Sequence, residues 1–271
     1  MERRFLKIII FTGLLITSCQ QIPINESNKK FVDDNTDKQN LEIDLKKQEK
    51  IISYHSDIWS YILTNSSYTS DGLDEQTLMY MNRHLQDLDK FKEFLNDSYY
   101  FIFFVIEELE NAKLPIELAF LPYIESNYDP FSISSSGAVG MWQFMPRTGR
   151  TYDLERSWWN EDRHDPFKST SAAIKYLKYL YERFDQDLYL TLAAYNAGPS
   201  FLDRQIKRNQ RRGLNTDYWS LDLPIQTRNY VPKFIAIKEL IINSDQYDIE
   251  LPFIPYEPVV EIGRASCRER V

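Results

Sequence analysis

One stretch, Leu114 to Gly149 (LPIELAFLPYIESNYDPFSISSSGAVGMWQFMPRTG), limits what this chain can become. Its opening third reads as a helix, because Pro115 suits a first helical position, where the missing N–H would be unpaired anyway. Leu118, Leu121, Pro122 and Glu125 then fall at i, i+3, i+4 and i+7 and share one stripe. A carboxylate closing an otherwise apolar stripe loses water, which disfavours its charged form and raises its pKa. That is what a proton donor working near neutral pH requires. The alternative is a helix that ends in an ordinary, solvated Glu.

After Glu125 the chain changes character. Asp129-Pro130 and the run Ser132, Ser134, Ser135, Ser136, Gly137 read as a loop with short hydrogen-bonding side chains. Gly140, Met141, Trp142 and Gln143 follow, offering a closely approachable backbone, an aromatic plate and an amide. Such a mixture suits a sugar, whose hydroxyls meet polar groups and whose C–H faces meet aromatic ones.

Three motifs, ESNYDP (125–130), SSSGAVGMWQFMPRTGR (134–150) and AAYNAGP (193–199), resemble those of the family 1 lytic transglycosylases. The resemblance covers roughly Tyr99 to Asn243. It implies an all-α, lysozyme-like (SLT) helical domain, here preceded by a helical extension. It also implies cleavage of the β-1,4 bond between N-acetylmuramic acid and N-acetylglucosamine in peptidoglycan, with no cofactor. Glu125 would be the catalytic acid and then the base, with Ser134, Gly140, Met141, Gln143, Tyr195 and Tyr230 along the cleft and Asn196 supporting Tyr195. The family usually carries Glu where Gln226 stands, which puts a second acidic contribution there in doubt.

The rest of the chain is read around that core. Residues 1–19 form a lipoprotein signal: Arg3, Arg4 and Lys7 precede an apolar run too short to be a comfortable membrane span. Ile16-Thr-Ser-Cys19 looks like a lipobox, so lipidation is expected at Cys19. Gln20 lacks the aspartate of inner-membrane retention, which favours an outer-membrane anchor facing the periplasm. Residues 20–40, rich in Asn, Asp and Lys, read as a flexible tether. Residues 41–98 read as the helical extension, with apolar periodicity over 41–65 and 73–95. Asn96, Asp97 and Ser98 are cap candidates for an apolar helix starting near Tyr99, and Ser169 or Thr170 for a later one. The catalytic domain is expected over 99–243. The passage Trp159 to Pro166 reads as a loop held by ion pairs and caps. Residues 244–261 read as a Pro-rich linker. Residues 262–271 resemble a translated sequencing adapter, which would account for Cys267 and for missing LysM modules.

Forty acidic residues against 32 basic ones, a net charge of −8, argue against a nucleic-acid groove. His55, His84 and His164 show no metal-ligand spacing, and neither cysteine looks like half of a structural disulfide, so no metal is expected. The expected partners are peptidoglycan strands and a membrane, the latter through the lipid, for a monomeric protein. Two rival readings stay open. A lysozyme-type hydrolase needs a second carboxylate, for which Asp129, Asp153 and Asp165 are the candidates. A lipid-anchored binding protein would need none.

Overall fold

Aspartates punctuate this chain. In the computed structural model, which describes residues 57–66 and 73–260, five of the ten α-helices begin on an Asp side chain that accepts from backbone N–H groups of the first turn. Asp57 starts α1 (Ile58–Asn65), Asp74 starts α2 (Glu75–Leu85) and Asp87 starts α3 (Leu88–Asn96). Asp165 starts α7 (Pro166–Arg183), and Asp187 starts α8 (Leu188–Ala197). The others are α4 (Ile102–Ala112), α5 (Leu121–Glu125), α6 (Pro146–Thr151), α9 (Pro199–Arg211) and α10 (Ile225–Ile242). Among the described residues there are only isolated β-bridges, so the all-α expectation stands. The lipobox with Cys19, the tether, the extension up to residue 56 and the tail from 261 lie outside the described residues.

Asp87 explains why the periodic run over 73–95 is two helices: its carboxylate caps Lys90 N at 3.0 Å and restarts the chain. Ser98 does not cap the next helix. Its hydroxyl turns back to Leu95 O, and α4 begins after Phe101 without a side-chain cap. Ser169 and Thr170 do not cap either. Asp165 starts α7 four residues earlier, and Thr170 donates to Pro166 O inside the helix at 2.6 Å.

The central element is α10, buried along most of its length through Phe234, Ile235, Leu240 and Ile241. It carries Pro232 in its interior, so the carbonyl of Arg228 loses its helical donor. The buried Tyr218 hydroxyl replaces it, 2.9 Å from Arg228 O and 3.0 Å from Thr227 O. α2 packs on α10, α8 joins it, and one hydrophobic cluster runs from Ile58 in α1 to Ile254. All described residues belong to one compact unit. The described part of the extension therefore belongs to the same core. So does most of the segment read as a linker: Ile249, Ile254 and Tyr256 are buried, Trp59 donates to Pro252 O, and Ile58 N donates to Ile254 O at 2.8 Å. A 3-10 turn over Ser244–Tyr247 opens this stretch, and its extended part is held against the start of α1.

Candidate active site

Glu125 is the last residue of α5, which continues a 3-10 turn over Ile116–Phe120. Leu118, Ala119, Phe120 and Leu121 are fully buried and fix where that short helix ends. The chain then turns through two consecutive left-handed residues, Asn127 (φ 59°) and Tyr128 (φ 60°). Asn tolerates that conformation; for Tyr it costs about 1–2 kcal/mol. The tertiary contacts of Tyr128 offset it. The ring is buried edge-on to Tyr123 with centroids 4.7 Å apart, and its hydroxyl donates to Ala119 O at 2.6 Å. Ser126 Oγ ties the turn to Met141 O at 2.8 Å.

Two tyrosines from later helices complete the surroundings of the acid. Tyr230, on α10, donates its hydroxyl hydrogen to Glu125 Oε1. Tyr195, on α8, donates to Trp142 O at 2.8 Å and lies near enough that the charge of Glu125 opposes its ionisation. Burial pushes the Glu125 carboxyl up to about 7; the Tyr230 hydrogen bond and the charge of Lys233 only partly counter it. The residue as a whole is part-exposed, so the acid is enclosed by protein yet reachable from one side. Burial and the same carboxyl hold both tyrosine hydroxyls well above their ordinary range, hence protonated and able to donate.

The loop 131–145 is clamped from behind. Arg163, itself buried, donates to Gly137 O (3.1 Å) and Phe144 O (2.8 Å) and forms a two-pronged pair with Glu161 at 2.7 and 2.8 Å. Asp162 accepts from Glu155 N, Asn160 and Lys168, and Asp165 from Phe167 N and Lys168 N. The passage around Arg163 is thus the ion-paired, capped loop read from the sequence.

Several candidate residues sit differently from their expected places. Gly140 is needed, but not for a ligand. At its φ of +82° a Cβ would lie 1.8 Å from Arg163 O, so the close backbone approach is the protein's own. Met141 and Trp142 are fully buried, and Trp142 Nε1 donates to Thr170 Oγ1 at 2.9 Å. The aromatic plate therefore belongs to the core, since a polar indole N–H with an inward partner draws the ring inside. Gln143 (φ 49°) spends its amide on Gly140 O (2.8 Å) and Ser132 O (3.3 Å), and Ser134 Oγ accepts from Ala138 N at 2.9 Å. Asn196 accepts from the Thr227 hydroxyl at 2.9 Å, bracing α8 against α10. Gln226 is exposed.

The rival carboxylates are employed elsewhere. Asp129 Oδ1 accepts from Phe131 N at 2.8 Å, Asp165 caps α7, and Asp153 is an exposed turn residue with φ 63°. Among the described residues no three His, Cys, Asp or Glu side chains gather as a metal site. Reading the sequence missed Tyr128 and Ser126, which set the turn after the acid. Their signal is an aromatic following Asn in a tight turn, a pairing that a surface loop does not need.

Comparison with known proteins agrees with the motifs. Residues 104–217 match the family model described as the transglycosylase SLT domain. Over 208 residues the chain is 35% identical to membrane-bound lytic murein transglycosylase D of Escherichia coli (strain K12), covering 74% of this chain and 44% of that protein. Over 108 residues it is 33% identical to membrane-bound lytic murein transglycosylase F of Alcanivorax borkumensis, covering 38% and 22%. An X-ray structure of an inactive mutant of lytic transglycosylase Slt from Pseudomonas aeruginosa aligns at 23% identity with a TM-score of 0.42, over 56% of this chain and 25% of that one. The chain spans less than half the length of these relatives.

Proposed function

From a chain whose residues 104–217 match an SLT domain, we propose a peptidoglycan lytic transglycosylase that uses Glu125 as its one proton carrier. The observation that carries the reading is a buried carboxyl, raised to about 7, with two protonated tyrosines around it and, among the described residues, no second carboxylate presented to it. Hydrolysis on this kind of site asks for a partner carboxylate to activate water or attack the sugar. A reaction in which the sugar attacks itself does not.

In the proposed sequence Glu125 gives its proton to the glycosidic oxygen as the C1–O bond breaks, and the N-acetyl carbonyl of the same sugar stabilises the positive C1. The resulting carboxylate, steadied by Tyr230, takes the proton from the C6 hydroxyl. O6 then bonds to C1, closing a 1,6-anhydro ring and returning Glu125 to its starting form. Tyr195 and Asn196 keep α8 and the loop at Trp142 fixed against the acid. Ser134 and Gln143 hold the loop in shape, and with it the wall facing the glycan. The same reading places the protein in a bacterial envelope, lipid-anchored through Cys19 at the outer membrane.

Digestion of purified peptidoglycan and mass analysis of the products tests this. Anhydro ends, one water lighter than reducing ends, are expected. Reducing ends would mean hydrolysis, and binding without release would mean a glycan-binding protein.

A further inference from the structure

Between α2, α5 and α10 is a cavity of about 200 Å³, lined by Tyr80, Arg83, His84, Tyr123, Ile124 and Lys233 among others. It is adjacent to the acid along two elements. Ile124 precedes Glu125 in α5, and Lys233 lies three residues beyond Tyr230, on the same face of α10. The far wall comes from the extension, through Tyr80, Arg83 and His84 of α2. The volume is below the roughly 300 Å³ of a pocket for a whole drug-sized ligand, so it suits one appendage of a polymer.

Two of the lining residues are exposed cations, Arg83 and Lys233. Lys92, Arg163, Lys168, Arg183 and Arg208 each meet a carboxylate. Among the described residues Arg83 and Lys233 meet none within ion-pairing distance; both lie against the Tyr80 ring, at 5.4 and 5.5 Å from its centroid. Lys233 senses the charge of Glu125 without pairing with it. Burial and neighbouring Arg83 push His84 below its ordinary value, so at neutral pH the positive charge is that of Arg83 and Lys233 alone. Two cations held against one tyrosine ring, neither with a carboxylate in ion-pairing distance, are complementary to a carboxylate.

We propose that this cavity binds a carboxylate of the peptide portion of the substrate, and that the extension thereby sets which bond of the strand lies over Glu125. The inference rests on the peptidoglycan reading above. A free carboxylate could also come from the lactyl group of a muramic acid stripped of its peptide, so the test separates the two sources.

Full-length protein and the variants Arg83→Gln, Arg83→Lys and Lys233→Gln are assayed on three soluble substrates. These are strands bearing stem peptides, strands stripped by an amidase, and N-acetylglucosamine oligomers without any carboxylate. Binding of N-acetyl-L-alanyl-D-glutamate is followed in parallel by NMR. One charge-assisted contact corresponds to about tenfold or more in affinity. Arg83→Gln is expected to raise KM on stem-bearing strands about tenfold with kcat within about twofold. Arg83→Lys should recover most of that loss, the oligomers should be unaffected by either Arg83 substitution, and the dipeptide should bind wild type but not Arg83→Gln. Equal KM for all variants on stem-bearing strands overturns the proposal, as does an effect confined to stripped strands. If wild type releases no anhydro ends from any substrate, the reaction proposed above fails; dipeptide binding and its loss in Arg83→Gln then still decide the cavity.

Discussion

Glu125 and the pair Glu161–Asp162 are acidic residues held by protein on several sides, with opposite outcomes. Glu161 is held below the usual carboxylate range by the forked hydrogen bonds of Arg163, which outweigh its partial burial. Asp162 is pushed up by burial, yet the bonds from Lys168, Asn160 and Glu155 N more than reverse that, leaving it lowered. Burial weighs far more heavily on Glu125, which receives only a neutral phenol hydrogen and a more distant ammonium, so its carboxyl rises to about 7. What separates the two kinds of acid here is the depth of burial together with the charge of the nearest donor. A guanidinium fixes the carboxylate as an anion for good; a tyrosine lets it take and release a proton.

The contrast breaks most severely at Glu125. Glu125→Gln keeps the shape and the burial but removes the proton, so release of anhydro ends should fall by about 10³-fold or more, near the upper range for a lost general acid. Turnover within tenfold of wild type would remove Glu125 from the mechanism. At the anchor the same logic predicts a stability effect. Arg163→Ala leaves Gly137 O without its donor, Phe144 O with Val139 N alone and Glu161 with only the 3.3 Å contact of Arg156, and breaking a buried pair of this kind costs about 3 kcal/mol. Arg163→Lys should recover little of it, because an ammonium cannot reproduce the fork. Urea midpoints measure both, and a loss under about 1 kcal/mol for the alanine would show that other contacts hold the loop.

A third effect follows from the direction of the shift. Below pH 4.5 folded and unfolded chains both keep the Glu125 proton. Between 4.5 and about 7 the unfolded chain releases it while the folded one retains it, so stability is highest below that window and is lost as pH rises through about 7. The loss from this one group is at most about 3 kcal/mol. Glu125→Gln should lack it, so the difference in unfolding free energy between wild type and variant should change between pH 4 and pH 8. A constant difference would place the carboxyl in water.

The acid proposed to carry the proton was legible in the sequence as a buried carboxyl because it lies on a periodic element. The stripe through Leu118, Leu121 and Pro122 leads to Glu125, and all three of those side chains are buried. The anchor was legible as a cluster of charges and a Pro, although not which groups Arg163 would hold. Periodicity says nothing about a non-repeating loop, which is why Trp142 and Met141 read as sugar-facing and turn out to be core. Whether such a side chain turns in or out depends on partners distant in sequence, here Thr170 and Ser126. Gly140 shows the same limit: its need for glycine is plain, but the atom that approaches it, Arg163 O, is 23 positions away. Local rules treat Pro232 as a break in the 225–242 helix, and Tyr218 makes it tolerable. The prolines of the residues read as a linker speak for an extended stretch, and Ile249, Ile254 and Tyr256 anchor it to the core.

The smallest predicted effect sharpens the comparison most, because it alters only the donor. Tyr230→Phe keeps the ring and the burial of Glu125 and removes the hydrogen that favours its ionised form. The carboxyl should then rise further, by up to about one unit, equivalent to about 1.4 kcal/mol. The wild-type kcat/KM should decline above about pH 7, where the acid loses its proton, and in Tyr230→Phe that decline should begin at higher pH. Lower turnover on the acid side is expected as well, since the carboxylate formed after bond breaking loses its support. An alkaline limb that stays in place or moves down would mean that Tyr230 does not set the proton affinity of Glu125, and the distinction between tyrosine-held and arginine-held acids would lose its basis.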